Sequence, residues 1–388
     1  MKMILYFSDA FAWRYVEDTD YMADFWDARR PLRTILGYSS TILPVLITGK
    51  RPQETGIWTE YFRSQRRQSR LARWVSRFAF LRTPVNMARL VLFRFARKAG
   101  SPTAHRLRIP IQISHFFGRH DMDYRNFPPV DLPHPTIDRV VENLGLRFSF
   151  RYMPEHVDVD EELARLAGQL DDYDVFFFYD PSVDGRGHHV GASATALAPE
   201  LAKIEQFLHQ AAELIGHRSE EAEFILFSDH GMTNVERTFD IFAALGNLRA
   251  GRDYLVWVDS TFARFWYPSE EMRATVHERL RTAPAQFLTQ EEIEAYGIDF
   301  PDDRYGQDVF VIDEGAVFHP SYISPSFFRT KNFPDKAMHG YRPEALSASG
   351  VFCYRGRRLD SELPEQVPAE SVFGIVKGIA ERSVRVPR

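Results

Sequence analysis

Three short apolar runs share one design. Met3–Phe7 leads into Ser8-Asp9, Val175–Tyr179 leads into Asp180 and VDGRGHHVG, and Phe224–Phe227 leads into Ser228-Asp229-His230-Gly231. None of the runs alternates apolar with polar residues, so each predicts a strand covered on both faces, as in a parallel sheet flanked by helices. Between them, apolar positions near a 3.6-residue period predict helices over Ser40–Ile47, Glu161–Leu170 and Glu200–Ile215. The expected fold class is therefore α/β, with a mostly parallel central sheet and helices on both faces. In such sheets ligands sit beyond the carboxyl ends of the strands, which is where these runs deliver Asp9, Asp229 and His230.

Two stretches interrupt this pattern. Residues 61–131 are read as a basic, Arg-rich helical insertion. Residues 243–335 are read as a mixed α/β cap, with a strand over Tyr254–Val258, a helix over Glu270–Arg281 and an aromatic, Pro-rich loop before His339. The core is then assembled from residues 1–60, 132–242 and 336–388. A chain of 388 residues is long enough for such a core with insertions.

Charge sharpens the division. The net charge is −5, but residues 61–120 hold 14 Arg and Lys and no Asp or Glu, leaving 34 basic against 53 acidic residues elsewhere. Arg63, Arg66, Arg67, Arg70, Arg73 and Arg77 recur at helical spacing around the apolar stripe Leu71, Trp74, Val75 and Phe78. Met87–Lys98 repeats the mixture. One reading is a cap whose apolar stripe packs on the core while its arginines pair with the acidic remainder. A second is a basic amphipathic surface for an anionic membrane, and a third is an arginine-lined pocket for an anionic substrate. No motif for specific nucleic-acid binding accompanies the charge. The single cysteine, Cys353, excludes a disulfide framework within this sequence and a multi-Cys zinc site, and reads as a small buried hydrophobe. With too short an apolar run at the N-terminus for a signal peptide and no stretch of membrane-spanning length, the expected location is cytoplasmic, at most peripheral to a membrane.

Candidate chemistry gathers at the strand ends. Asp229-His230 offers adjacent oxygen and nitrogen donors. Asp184 and His188 lie four apart around Gly185 and Gly187, which would permit a tight turn that converges both on one ion. His339 sits in MHGY beside Gly340. Carboxylate and imidazole donors suit Zn²⁺, with Mn²⁺ the alternative.

The succession FSDAF, GYSSTILPVLITGKRPQETG, VDGRGHHVG, FSDHGM and MHGY resembles the nucleotide pyrophosphatase/phosphodiesterase branch of the alkaline-phosphatase superfamily. The resemblance implies a two-metal phosphate-ester hydrolase. One ion would be held by Asp184, His188 and His339, and the other by Asp9, Asp229 and His230 with the nucleophile's oxygen. Ser39, nine residues before Thr48, takes the nucleophile position, with Ser40 and Thr41 as competing hydroxyls. A hydroxyl so placed would be activated by the metal and would form a phosphoseryl intermediate.

The sequence departs from the branch where an Asn is usual (around Thr59-Glu60), where an aromatic follows the nucleophile (Ser40), and where a Gly follows the first Asp (Ala10). These departures bear on the substrate, a small-molecule or lipid phosphate ester, more than on the metals. A phosphotransferase that passes the group to an alcohol acceptor is the nearest alternative, and a non-catalytic peripheral membrane protein a distant one. A sulfatase-like hydrolase fits less well, because Ser39-Ser40-Thr41-Ile42-Leu43 lacks the Pro and Arg that formylglycine formation needs. His189 competes with His188 but lacks the four-residue spacing. His115, His120, His134, His217 and His319 lie in no motif.

Overall fold

The computed structural model describes residues 1–64, 79–98, 107, 109–111, 113–154, 156–218, 221–322, 335–360 and 362–385. The Arg-rich stretch from Arg66 to Phe78 with its apolar stripe, and most of the loop expected before His339, lie outside the described residues.

Seven strands form the main sheet: β1 (Lys2–Ser8), β2 (Ala28–Arg33), β3 (Phe148–Tyr152), β4 (Val175–Asp180), β5 (Ala222–Phe227), β6 (Gly350–Arg355) and β7 (Val367–Pro368). Their order is β7-β2-β6-β5-β1-β4-β3. All run the same way except β6, which is antiparallel to both of its neighbours.

The strands explain their own sequences. In β1, Met3, Leu5 and Phe7 face one core with the helices Ser39–Thr48 and Ser371–Arg385, while Ile4 and Tyr6 face the other with Ala194–His217. Burial on both faces is why no polar residue alternates along the run. Cys353 is buried in the second of these cores.

The predicted helices are present with shifted bounds, as Ser39–Thr48, Val159–Gln169 and Ala194–His217, the second ending one residue before Leu170. Asp158 and Ser193 cap the last two by accepting backbone N–H bonds at their first turns. One expectation is corrected. VDGRGHHVG is not a turn but most of a helix, Ser182–Val190, opened by Ser182 N–H donating to the Asp180 carboxylate. Gly187 is needed there for close approach rather than for a bend, since a Cβ at that position would lie 2.5 Å from the Met232 sulfur.

The region after Thr233 builds a second, fully antiparallel sheet from Leu255–Val258, Phe262–Trp266, Asp308–Ile312 and Ala285–Phe287, with its own apolar core. The basic excursion is closed at its base by Tyr61–Arg63 pairing with Phe117–Arg119. Just beyond it, Tyr124 and Phe127 return to the main core, so the end of the 61–131 stretch packs with the sheet. No described helix is long and apolar enough to cross a membrane.

Phe177 sits at the centre of one core against Phe7, Phe127 and Phe227. Phe177→Ala should lower unfolding stability by about 3–5 kcal/mol, read from denaturant titration. A loss below about 1 kcal/mol would contradict this packing.

Candidate metal centre

Register brings the site together. β1 pairs Ser8 with Asp180 on β4 and Phe7 with Phe227 on β5, so Asp9 and Asp229 leave the sheet at the same edge. The following Ala10 adopts φ +60°, a left-handed conformation in which its N–H reaches Asp229 Oδ1 at 3.2 Å. This is the position where the resemblance expects glycine, and Ala bears the modest steric cost of that geometry. Asp184 and His188 are one helical turn apart, with His188 Nε2 3.3 Å from Asp184 Oδ1.

His339 arrives from far along the chain. Because β6 runs against its neighbours, it starts at the edge where they end, and the segment before it passes the site. Ala337–Met338 pairs with Thr233–Asn234, just beyond His230. The His339 ring then stacks on His230, with centroids 3.8 Å apart and planes 13° off parallel. Gly340 turns at φ +87°, where a Cβ would meet the Tyr38 ring at 2.7 Å and Thr261 Oγ1 at 2.8 Å.

All seven expected residues thus lie at one edge. Donor atoms of Asp184, His188 and His339 fall within 4.8 Å of one another, as do those of Asp9, Asp229 and His230. Ser39 Oγ stands 3.2 Å from Asp9 Oδ1 and 3.2 Å from His230 Nε2. Of the competing hydroxyls, Thr41 is fully buried and donates to the Trp58 carbonyl, while Ser40 is buried beside Ser39 and lines the same cavity; only Ser39 Oγ is placed against Asp9 and His230 among the described contacts. His189 is in neither donor group. Ser39 is the first residue of its helix, so its N–H and that of Ser40 stand outside the intrahelical ladder, at the positive end of the helix dipole.

The electrostatics are unfavourable for an empty protein site. Asp9, Asp184 and Asp229 are buried or half-buried, and among the described residues no Lys or Arg pairs with any of them. Burial and the charges of Asp229 and Asp184 push the Asp9 carboxyl well above the usual carboxylate range. Burial works to raise Asp184 too, but the facing His188, His339 and His230 hold it below that range. Burial works to lower His188, and Asp184 overrides it, pushing His188 up to about 9. Burial and His230 push His339 well below the usual imidazole range.

The orphaned oxygens fit divalent cations. Asp184 Oδ1 and Asp229 Oδ2 are buried without a hydrogen-bond partner, each facing imidazole nitrogens at 3.2–3.4 Å. The imidazoles are also oriented from behind: His188 Nδ1 lies 2.8 Å from the Ala337 carbonyl and His230 Nδ1 2.9 Å from that of Gly231. Such contacts set the tautomer that leaves Nε2 free toward the site. Tyr179 donates to Asp9 Oδ2 at 2.7 Å.

Beside the centre lies a cavity of about 310 Å³, between the main sheet and the second sheet. Its lining includes Ser39, His188 and His339, the aromatic residues Tyr38, Tyr61 and Tyr124, and Asp259, Ser260 and Asp335. Asp259–Thr261 is the hairpin turn between two strands of the second sheet. From it Thr261 reaches back, with its N–H donating to Tyr38 Oη at 3.1 Å and its hydroxyl to the Gly340 carbonyl at 2.8 Å. Sequence reasoning did not find Tyr38, Tyr124, Tyr179, Asp259 or Asp335. Tyr38 stands inside the GYSS motif with no role assigned to it there, the others lie in no chemical motif, and each reaches the site through tertiary packing.

A doubly flanked, mostly parallel sheet carrying two adjoining Asp/His donor groups and a helix-terminal serine defines an alkaline-phosphatase-superfamily architecture. The family model for type I phosphodiesterase / nucleotide pyrophosphatase matches residues 7–341, and the chain belongs to this family of metal-dependent hydrolases. Among solved structures it is similar to human ectonucleotide pyrophosphatase / phosphodiesterase 5, at TM-score 0.68 and 15% identity over 98% of this chain and 95% of that one. The murine counterpart matches at TM-score 0.67 and 14% identity, over the same shares of the two chains. An inactive murine variant in complex with AMP matches at TM-score 0.66 and 15% identity, again over 98% and 95%.

The titrations have a measurable consequence. The folded-state pKa of His188 and of Asp9 is raised, so both groups contribute stability at low pH that is lost as pH rises. For His188 the loss runs from its ordinary value near ~6.5 up to about 9. Metal-stripped protein should therefore lose thermal stability as pH rises through that window, and Zn²⁺ should restore it by taking the place of the protons. A stripped protein whose melting temperature stays level or rises from pH 6.5 to 9 would contradict the arrangement.

Proposed function

We propose that this protein cleaves a phosphodiester or pyrophosphate bond through a covalent intermediate on Ser39. The observation that carries the reading is Ser39 Oγ, held 3.2 Å from Asp9 Oδ1 and from His230 Nε2 at a helix N-terminus that lines the cavity. Asp184, His188 and His339 would hold one divalent ion and Asp9, Asp229 and His230 another, Zn²⁺ being the expected metal and Mn²⁺ the alternative. Bound there, such ions supply Lewis-acid stabilisation of charge and lower the pKa of a nearby hydroxyl.

The chain's own residues then have defined tasks. Ser39 Oγ forms a bond to phosphorus as the ester or anhydride bond breaks, and the serine proton departs with the leaving oxygen. Water next attacks phosphorus, the Oγ–P bond breaks, and one proton of that water passes to Ser39 Oγ while its hydroxyl stays on phosphorus. Backbone N–H groups of Ser39 and Ser40 face the developing negative charge. Tyr179 and the carbonyls of Ala337 and Gly231 keep Asp9 and the imidazoles in place. Tyr38, Tyr61 and Tyr124 give the non-reacting part of the substrate an aromatic wall. Such walls suit a flat group, and the AMP complex of the murine relative supports a nucleotide phosphate ester as the substrate class.

Ser39→Ala should lower turnover of a chromogenic phosphodiester by about 10³-fold or more while elemental analysis still finds bound metal. Turnover within about threefold of the unaltered protein would remove Ser39 from the nucleophile role.

A further inference from the structure

Helix Ala79–Lys98 carries an exposed apolar strip among its described residues. Every exposed residue described on it is apolar: Pro84, Met87, Ala88, Val91, Leu92 and Phe95. Phe95 is 68% exposed, Leu92 55% and Val91 46%. At about 100° per residue these six positions fall within one arc of the helix, a continuous strip rather than scattered contacts. The other face is the one that docks: Asn86 Oδ1 accepts the Ile111 N–H at 2.9 Å, and Arg89 donates to the Ile109 carbonyl at 3.1 Å. The stripe Leu71, Trp74, Val75 and Phe78 lies outside the described residues, and on this helix Leu90 and Phe93 are half-buried while the strip above stays exposed.

Charge decides what covers the strip. The helix contains Arg82, Arg89, Arg94, Arg97 and Lys98 and no acidic residue, and residues 61–120 as a whole hold 14 basic residues and no acidic one. The rest of the chain is strongly acidic, with 53 Asp and Glu. A second copy approaching through this helix would set two such basic segments against each other. An anionic bilayer suits both the exposed apolar strip and the excess of basic residues in this segment of the sequence.

We propose that helix Ala79–Lys98 is an interfacial anchor that docks the protein on anionic lipid membranes through Met87, Val91, Leu92 and Phe95. The claim concerns binding alone and stands apart from the chemistry at Ser39. It also has a geometric complement. The excursion is closed by the pairing of Tyr61–Arg63 with Phe117–Arg119, and Glu60 and Tyr61 at that base line the cavity, with Arg119 paired to Glu60 at 3.1 Å. A docked helix would thus bring the cavity close to a lipid surface.

The full chain should co-sediment with phosphatidylcholine vesicles containing roughly a third phosphatidylserine, much less with pure phosphatidylcholine, and less as salt rises. The double variant Val91→Glu, Phe95→Glu should lower the anionic-vesicle partition by about tenfold or more, with an unchanged melting temperature showing that it folds. Failure of the unaltered protein to bind anionic vesicles overturns the proposal, as does equal binding by the variant. A non-binding protein that light scattering shows to be a dimer, made monomeric by the same substitutions, overturns it in favour of self-association.

Discussion

Three carboxylates that repel one another, with no lysine or arginine paired to them among the described residues, set the terms for this structure. Asp9, Asp184 and Asp229 are each placed by a different strand or by the helix after it, at the one edge where parallel strands end together. Burial strengthens their repulsion because little water remains to screen it. Imidazoles answer it in part: His188 and His339 both face Asp184 Oδ1, and His230 faces Asp229 Oδ2. The oxygens still left without hydrogen-bond partners are where cations belong.

Much of the remaining architecture serves that edge. The reversed strand β6 brings the chain back so that His339 can stack on His230. The second sheet contributes more than a roof, because its hairpin turn ties Tyr38, immediately before Ser39, to the backbone of Gly340, immediately after His339. Serine and histidine are thereby positioned by a common bracket. Asp259 in the same turn lies 3.6 Å from Arg264, a fully buried guanidinium set among Trp58, Trp257 and Tyr305.

The parts legible in the sequence were those whose physics is local. Apolar runs ending in Asp announced Asp9 and Asp229, since strands buried on both faces leave no room for polar alternation. The four-residue spacing of Asp184 and His188 was also visible, but the two glycines misled: they read as a turn, where one helical turn supplies the same convergence and Gly187 makes room for Met232. His339 was reachable only through the order of motifs, because it depends on the direction of a strand that begins eleven residues later. Tyr179, Tyr38 and the Asp259–Thr261 turn carried no local signal, since each reaches the site through the pairing or packing of whole elements. The basic excursion showed its amphipathic character in sequence, but which face it leaves uncovered is a property of the docking by Asn86 and Arg89.

The account rests on two cation positions at the edge of one sheet, and anomalous scattering from crystals grown with Zn²⁺ addresses that most directly. It should show two neighbouring peaks, one among Asp184, His188 and His339 and one among Asp9, Asp229 and His230 with Ser39 adjacent. A single peak, or ions bound elsewhere while both groups of donors stay bare, would contradict it.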